Sequence, residues 1–284
     1  MNQSFQHVSI LGGGLLGGSI ALGIQGKTPA RLWLRKESAL EHAHGIGISG
    51  ATCDLSEAAS EADLLILAVP IGAMPGLLAA AIAAGLPGSC LVTDVGSVKQ
   101  IPHETLAGLL TQNGNSFIGS HPMAGSEQNG LVAARADLFE NAACLLTNDS
   151  GAPAELCMAL EGFWKSLGCR NSWFTAKAHD ELVARISHLP HVLAAAGARV
   201  ALADPKIGGF GGGGLRDTTR VASGNPEMWA EILTENRFAI IPALRETIDQ
   251  LREILATLEQ PDQEQTRRWL ADAKALRDTL RPFP

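Results

Sequence analysis

No apolar stretch in this chain approaches the ~18 consecutive residues of a membrane-spanning helix, and the start, Met1-Asn2-Gln3-Ser4-Phe5-Gln6, lacks the basic-then-apolar pattern of a secretory leader. Cysteine is sparse. Cys53, Cys90, Cys144, Cys157 and Cys169 are scattered without a C-x-x-C pair, which argues against a zinc site or a disulfide framework and reads as reduced, mostly buried thiols. Positive charge is outnumbered: 22 Lys and Arg face 29 Asp and Glu, a net charge of -7. Phosphate neutralisation needs concentrated cations, so nucleic acid is a poor partner. Internal repeats and low-complexity tails are also lacking, and tyrosine is absent altogether. The expectation is a cytoplasmic enzyme or small-molecule-binding protein, with no membrane and no nucleic acid as partner.

What is present is apolar and periodic. Hydrophobic residues make up 46% and charged residues 18% of the 284 positions, which suits one large or two modest globular domains. The first half alternates short apolar runs, His7–Leu11, Ala30–Leu34, Leu64–Val69, Cys90–Val95, Phe117–Ser120 and Ala143–Leu146, with helical segments such as Gly72–Ala84 and Pro102–Thr111. That alternation predicts βαβ units and a parallel sheet covered on both faces. From about Thr175 the pattern turns helical, over Ala176–Leu202, Pro226–Leu258 and Pro261–Leu280, with Pro190 and Pro242 expected to kink or break their segments. The expected fold is a Rossmann-type α/β dinucleotide-binding domain over residues 1–174, followed by an all-α substrate and dimerisation domain over 175–284. Three long helices with broad Ala and Leu faces cannot bury that surface alone, which predicts a homodimer through the helical domain.

Val8-Ser9-Ile10-Leu11-Gly12-Gly13-Gly14-Leu15-Leu16-Gly17-Gly18-Ser19 fits G-x-G-x-x-G, opening from a strand and feeding an apolar helix. Gly12 permits the tight turn, Gly14 lets the backbone approach a pyrophosphate, and Gly17 allows close helix–strand packing; Leu15 and Leu16 begin the helix whose N-terminus faces the phosphates. The second strand ends in Arg35-Lys36-Glu37, where an NAD site usually carries an acid. Arg35 and Lys36 suit a 2′-phosphate, so NADP is expected ahead of NAD; the alternative is a solvated basic turn with Glu37 on the ribose. Val69 and Pro70 end the next strand, where the nicotinamide half passes in such folds. Ser97, in Asp94-Val95-Gly96-Ser97-Val98-Lys99, and His121 stand at neighbouring strand ends and can share one cleft.

His121 is a titratable group near neutrality at the mouth of that cleft, suited to handling a hydroxyl proton; the plainer alternative is a satisfied structural histidine. In Ser187-His188-Leu189-Pro190-His191 two histidines share a helix face, as metal ligands or as a buried pair, and no supporting acid or thiol favours metal. The run Gly211–Gly214 precedes Arg216, Asp217 and Arg220, which reads either as a flexible linker or as a close-approach loop with a guanidinium for a substrate carboxylate.

Together these motifs resemble the prephenate/arogenate dehydrogenase (TyrA) family. The resemblance rests on the glycine fingerprint, Asp94–Lys99, Ser120-His121-Pro122-Met123-Ala124-Gly125-Ser126-Glu127, Ser187–His191, and Arg216–Arg220 followed by Asn225-Pro226-Glu227-Met228-Trp229, in family order. It implies an oxidative decarboxylation of prephenate or arogenate in tyrosine biosynthesis. His121 then takes the ring hydroxyl's proton and Ser97 helps orient it. Ser187, His191, Arg220, Gly213, Asp217 and Glu127 would surround the substrate, with Arg220 on a carboxylate and Trp229 able to reach the neighbouring subunit's site. The strand pattern begins at residue 7 and the chain ends in a helix, leaving no expected room for a fused mutase or an appended ACT domain. Any inhibition by tyrosine would then act at the active site. A β-hydroxy acid dehydrogenase with Lys177 or Lys206 as base is the alternative enzyme, and an NADP-sensing regulator the non-catalytic one.

Overall fold

The computed structural model describes residues 4–125, 130–204 and 206–280. Among them, eight strands form one sheet: β1 (Val8–Leu11), β2 (Ala30–Trp33), β3 (Ala51–Thr52), β4 (Leu64–Leu67), β5 (Leu91–Asp94), β6 (Ser116–Pro122), β7 (Ala143–Thr147) and β8 (Arg170–Phe174). Their order is β3-β2-β1-β4-β5-β6-β7-β8. Helices α1 (Leu15–Gly23), α2 (Leu40–Gly45), α3 (Leu55–Ala59), α4 (Met74–Ala83), α5 (Gln100–Asn113) and α6 (Ala154–Ser166) accompany the strands. Then come α7 (Ala176–Val183), α8 (Leu189–Ala201), α9 (Gly213–Thr219), α10 (Pro226–Glu235), α11 (Arg237–Glu259) and α12 (Gln263–Asp278).

The inner strands read as apolar runs because both sheet faces are covered. Val8 and Ile10 of β1 and Leu64 and Ile66 of β4 join one core, while Leu11, Leu65 and Leu67 point into the other. β1 pairs in parallel with both β2 and β4, so the strand order reverses at β1. In open α/β sheets that reversal opens a crevice beyond the carboxyl ends of the strands, where ligands bind.

The far edge departs from the all-parallel expectation: β7 runs antiparallel to β6, and β8 runs parallel to β7. β6 is longer than the apolar run Phe117–Ser120 and carries His121 inside the strand, opposite Leu145, instead of just past its end. β3 and β8 escaped the sequence pattern because β3 has two residues and β8, Arg-Asn-Ser-Trp-Phe, is polar and only half-buried at the edge.

The first helical stretch, expected over Ala176–Leu202, is interrupted by a π-turn at Ala184–His188. Pro190 follows as the second residue of α8, directly after the wider π-turn, and the helical path continues through it. Pro242 does not break its helix. α11 runs through it, and the exposed face on which both Pro242 and Phe238 lie lets water take up the carbonyl of Phe238 that the ring leaves free. The break falls at Asn236, which ends α10 and precedes α11.

Candidate active site

Gly12 adopts a φ of +126°, and a Cβ there would stand 2.3 Å from the carbonyl oxygen of Ala68 at the end of β4. A Cβ on Gly17 would stand 2.0 Å from the Gly12 oxygen, so the turn closes onto α1 only with glycine at both places. A Cβ on Gly14 would meet no heavy atom within 4 Å, and as N-cap of α1 this residue makes no side-chain cap. The backbone N–H groups at Leu15 and Leu16 therefore begin a helix whose N-terminus is uncapped beside open space, a fit for a phosphate. Leu34 packs against Gly13, which sets the end of β2 beside this loop, with Arg35 and Lys36 exposed just beyond it. Val69 and Pro70 follow β4 on the same side. These residues fit a dinucleotide.

A second cavity, of about 300 Å³, lies at the junction with the helices. Ser97 and His121 reach it from the sheet, Ser187 from the π-turn, Arg220 from the turn after α9, and Trp229 from α10. Five residues singled out in the sequence, from five separate segments, thus line one space. His191 stands behind it, its ring stacked on Trp229 at 3.5 Å between centroids. Gly213 and Asp217 are not brought in: both lie exposed on α9, which takes up half of the glycine run as regular helix. Glu127 lies outside the described residues. Lys177 is exposed and pairs with Glu181 at 3.8 Å, and Lys206 is exposed as well; neither lines this cavity. No cluster of His, Cys, Asp or Glu able to hold a metal occurs among the described residues.

His121 is 7% exposed. Burial, reinforced by His179, Lys99 and His188, holds its pKa well below the usual histidine value, so it is neutral at physiological pH. Its Nδ1 lies 2.9 Å from Nε2 of His179, and Nδ1 of His179 lies 2.8 Å from Oδ1 of Asp180. Asp180 also caps α5 from outside. Its Oδ1 accepts from the Lys99 N–H at 2.7 Å, and its Oδ2 from the N–H of Gln100 at 3.0 Å and from Gln100 Nε2 at 3.1 Å. Burial pushes the Asp180 carboxyl up, but these donors and His179 outweigh it and leave its pKa below the usual carboxylate value. Beneath lies a fully buried ion pair between Lys99 and Asp94. Asn236 closes the cluster by donating from Nδ2 to the Asp180 carbonyl at 2.8 Å, with the same amide 3.0 Å from Nδ1 of His188. Burial lowers the pKa of His188 to about 4.

His179, Asp180 and Asn236 were not among the sequence candidates. A signal existed: Ala176, His179, Asp180 and Val183 are the buried face of α7, at the spacing of an apolar stripe, and two of its four places are titratable.

Residues 30–172 match the family model described as "Prephenate dehydrogenase, nucleotide-binding domain", and residues 175–272 match "Prephenate dehydrogenase, dimerization domain". The cyclohexadienyl dehydrogenase of Zymomonas mobilis is 34% identical over 268 residues, covering 91% of this chain and 90% of that protein. The crystal structure of prephenate dehydrogenase from A. aeolicus in complex with hydroxyphenyl propionate and NAD+ superposes with a TM-score of 0.86 at 25% identity, over 98% of this chain and 99% of that one. Arogenate dehydrogenase from Synechocystis gives a TM-score of 0.80 at 29% identity, over 96% and 99%.

Proposed function

We infer the activity from the premise that this chain belongs to the prephenate dehydrogenase family. It is an oxidoreductase of tyrosine biosynthesis that uses a nicotinamide cofactor and acts on substrates of the prephenate and arogenate class. The observation that carries the site assignment is the gathering of Ser97, His121, Ser187, Arg220 and Trp229 around one cavity beyond the glycine loop.

In the proposed reaction the ring carbon bearing the 4-hydroxyl gives up a hydride and the hydroxyl gives up its proton. The bond to the ring carboxylate then breaks, releasing carbon dioxide and leaving its electron pair in the aromatic ring. A nicotinamide dinucleotide held by its phosphates at the glycine loop would supply the hydride acceptor. His121 takes the hydroxyl proton on the ring nitrogen that His179 leaves open, and returns it to the phenolate oxygen as the ring becomes aromatic. Ser97 orients the hydroxyl, and Arg220 holds a substrate carboxylate through its planar fork. Ser187 and Trp229 complete the lining, with His191 stacked on the Trp229 ring.

The cofactor is NADP in preference to NAD, supported by Arg35 and Lys36 where an NAD site would place an acid. The protein works as a homodimer through the helical region, supported by the family's dimerization model over 175–272. Following reduced-nicotinamide absorbance with prephenate, arogenate and a 3-hydroxy acid, each with NADP and with NAD, tests the assignment. Turnover of only the 3-hydroxy acid, or of none, would reject it.

A further inference from the structure

The neutral form of His121 has two tautomers, and only one of them presents a lone pair to the cavity. The buried chain behind it decides which. An ionised carboxylate can only accept hydrogen bonds, and Asp180 is held ionised by three N–H donors from Lys99 and Gln100. Nδ1 of His179, 2.8 Å from its Oδ1, must therefore carry a hydrogen and donate it. His179 is fully buried, and burial, the first of the causes acting on it, holds its pKa below the usual histidine value; a neutral imidazole has one N–H, so its Nε2 is a bare acceptor. Across the 2.9 Å contact the donor is then Nδ1–H of His121. Nε2 of His121 is left unprotonated.

We infer that Asp180 and His179 are positioning residues that lock His121 into the Nδ1–H tautomer, so that Nε2 is the base, and that the three form a relay for the charge created when His121 takes a proton. The inference rests on the reading of His121 as the group that accepts the hydroxyl proton. When Nε2 gains that proton, His121 becomes an imidazolium; its Nδ1 proton lies on the line to His179 Nε2, and the Asp180 carboxylate balances the positive charge at the far end. When the phenolate oxygen takes the Nε2 proton back, the chain returns to its starting state.

The other charges around the chain suit this task. Lys99, packed below, opposes a second positive charge but is itself paired with Asp94. His188 stays neutral and is engaged with Asn236, and Arg220 lines the same cavity as His121. Among the described residues Asp180 is thus the acidic group in hydrogen-bond contact with His179, and it meets His121 only through that ring.

Nitrogen-15 NMR of the full-length protein labelled in histidine tests the tautomer directly, with His121 and His179 assigned from their loss in His121→Asn and His179→Gln. At neutral pH both rings are expected to show a protonated Nδ1 and a bare Nε2. A protonated Nε2 on either ring overturns the relay, whatever the enzyme's substrate. In kinetics, His179→Gln keeps an acceptor for His121 but cannot pass a proton, and its kcat is expected to fall roughly 10²-fold, the lower end of what positioned proton transfer contributes. KM for substrate and cofactor should stay within about threefold, and Asp180→Asn should lower kcat in the same direction. An unchanged kcat in a folded His179→Gln protein would equally overturn the relay. Full turnover by His121→Asn would instead remove the proposed function while leaving the measured tautomers to stand.

Discussion

His191 and Trp229 lie face to face, 3.5 Å between ring centroids and 9° between planes, although they come from α8 and α10. The edge of the His188 ring meets the same indole at 6.1 Å. Burial lowers the pKa of His191, which keeps the stacked imidazole neutral at physiological pH. The indole is thereby fixed at the rim of the cavity that also holds His121 and Arg220. Replacing Trp229 by Ala removes that wall and a stacked pair worth about 1 kcal/mol beyond its buried area. The expected result is a KM for substrate raised about tenfold, with cofactor affinity unchanged. Trp229→Phe, which keeps a flat ring, should recover most of the loss. Steady-state kinetics and cofactor titration on both variants check this.

His121→Asn removes the proposed base, so kcat should drop by about 10²- to 10⁴-fold while cofactor affinity is retained. The pH profile carries a sign. His121 must be neutral to accept a proton, and burial, with His179, Lys99 and His188, depresses its pKa. The acidic limb of kcat should therefore fall below the ordinary histidine value of ~6.5, with full activity persisting from there to neutral pH. A limb at or above that value would contradict the assignment.

The two cores, the glycine turn and the residues of the cavity were legible because each is written locally. Leu64–Leu67 is a run that only a strand covered on both sides can bury, and Gly12 to Gly17 follow directly on β1. The relay was not legible in the same way. His179 reaches His121 over 58 positions of sequence and Asp180 reaches Lys99 over 81, so nothing local announces either contact. The π-turn likewise has no proline or glycine inside it to mark it, and the break before α11 is set by what Asn236 bonds to rather than by Pro242.

Arg35 and Lys36 are both exposed beyond β2, free of the packing that would make their replacement costly to the fold. Reversing the charge with Arg35→Glu should cut kcat/KM for NADP at least tenfold through loss of a charge-assisted contact and repulsion of the 2′-phosphate. The NAD value should hold or rise. Equal effects on both cofactors would show that the basic turn does not read the 2′-position.

On α11 the apolar side chains Ile241, Ile248, Leu251, Leu255 and Leu258 are all exposed, spaced by seven, three, four and three residues along one face. This is the seam of a helix that packs against another helix. Phe238 continues it one turn earlier at 77% exposure. Within one chain nothing among the described residues covers the stripe, yet burying each such side chain is worth about 2 kcal/mol. A second copy of the same face is the partner that closed symmetry offers. Sedimentation at micromolar concentration should therefore give a dimer, and Leu251→Glu with Leu255→Glu should give a monomer with its secondary structure intact. Because the cavity is lined by α10 and the turn before it, and α11 follows α10 directly, the monomer is also expected to lose substrate affinity while still binding cofactor at the glycine loop.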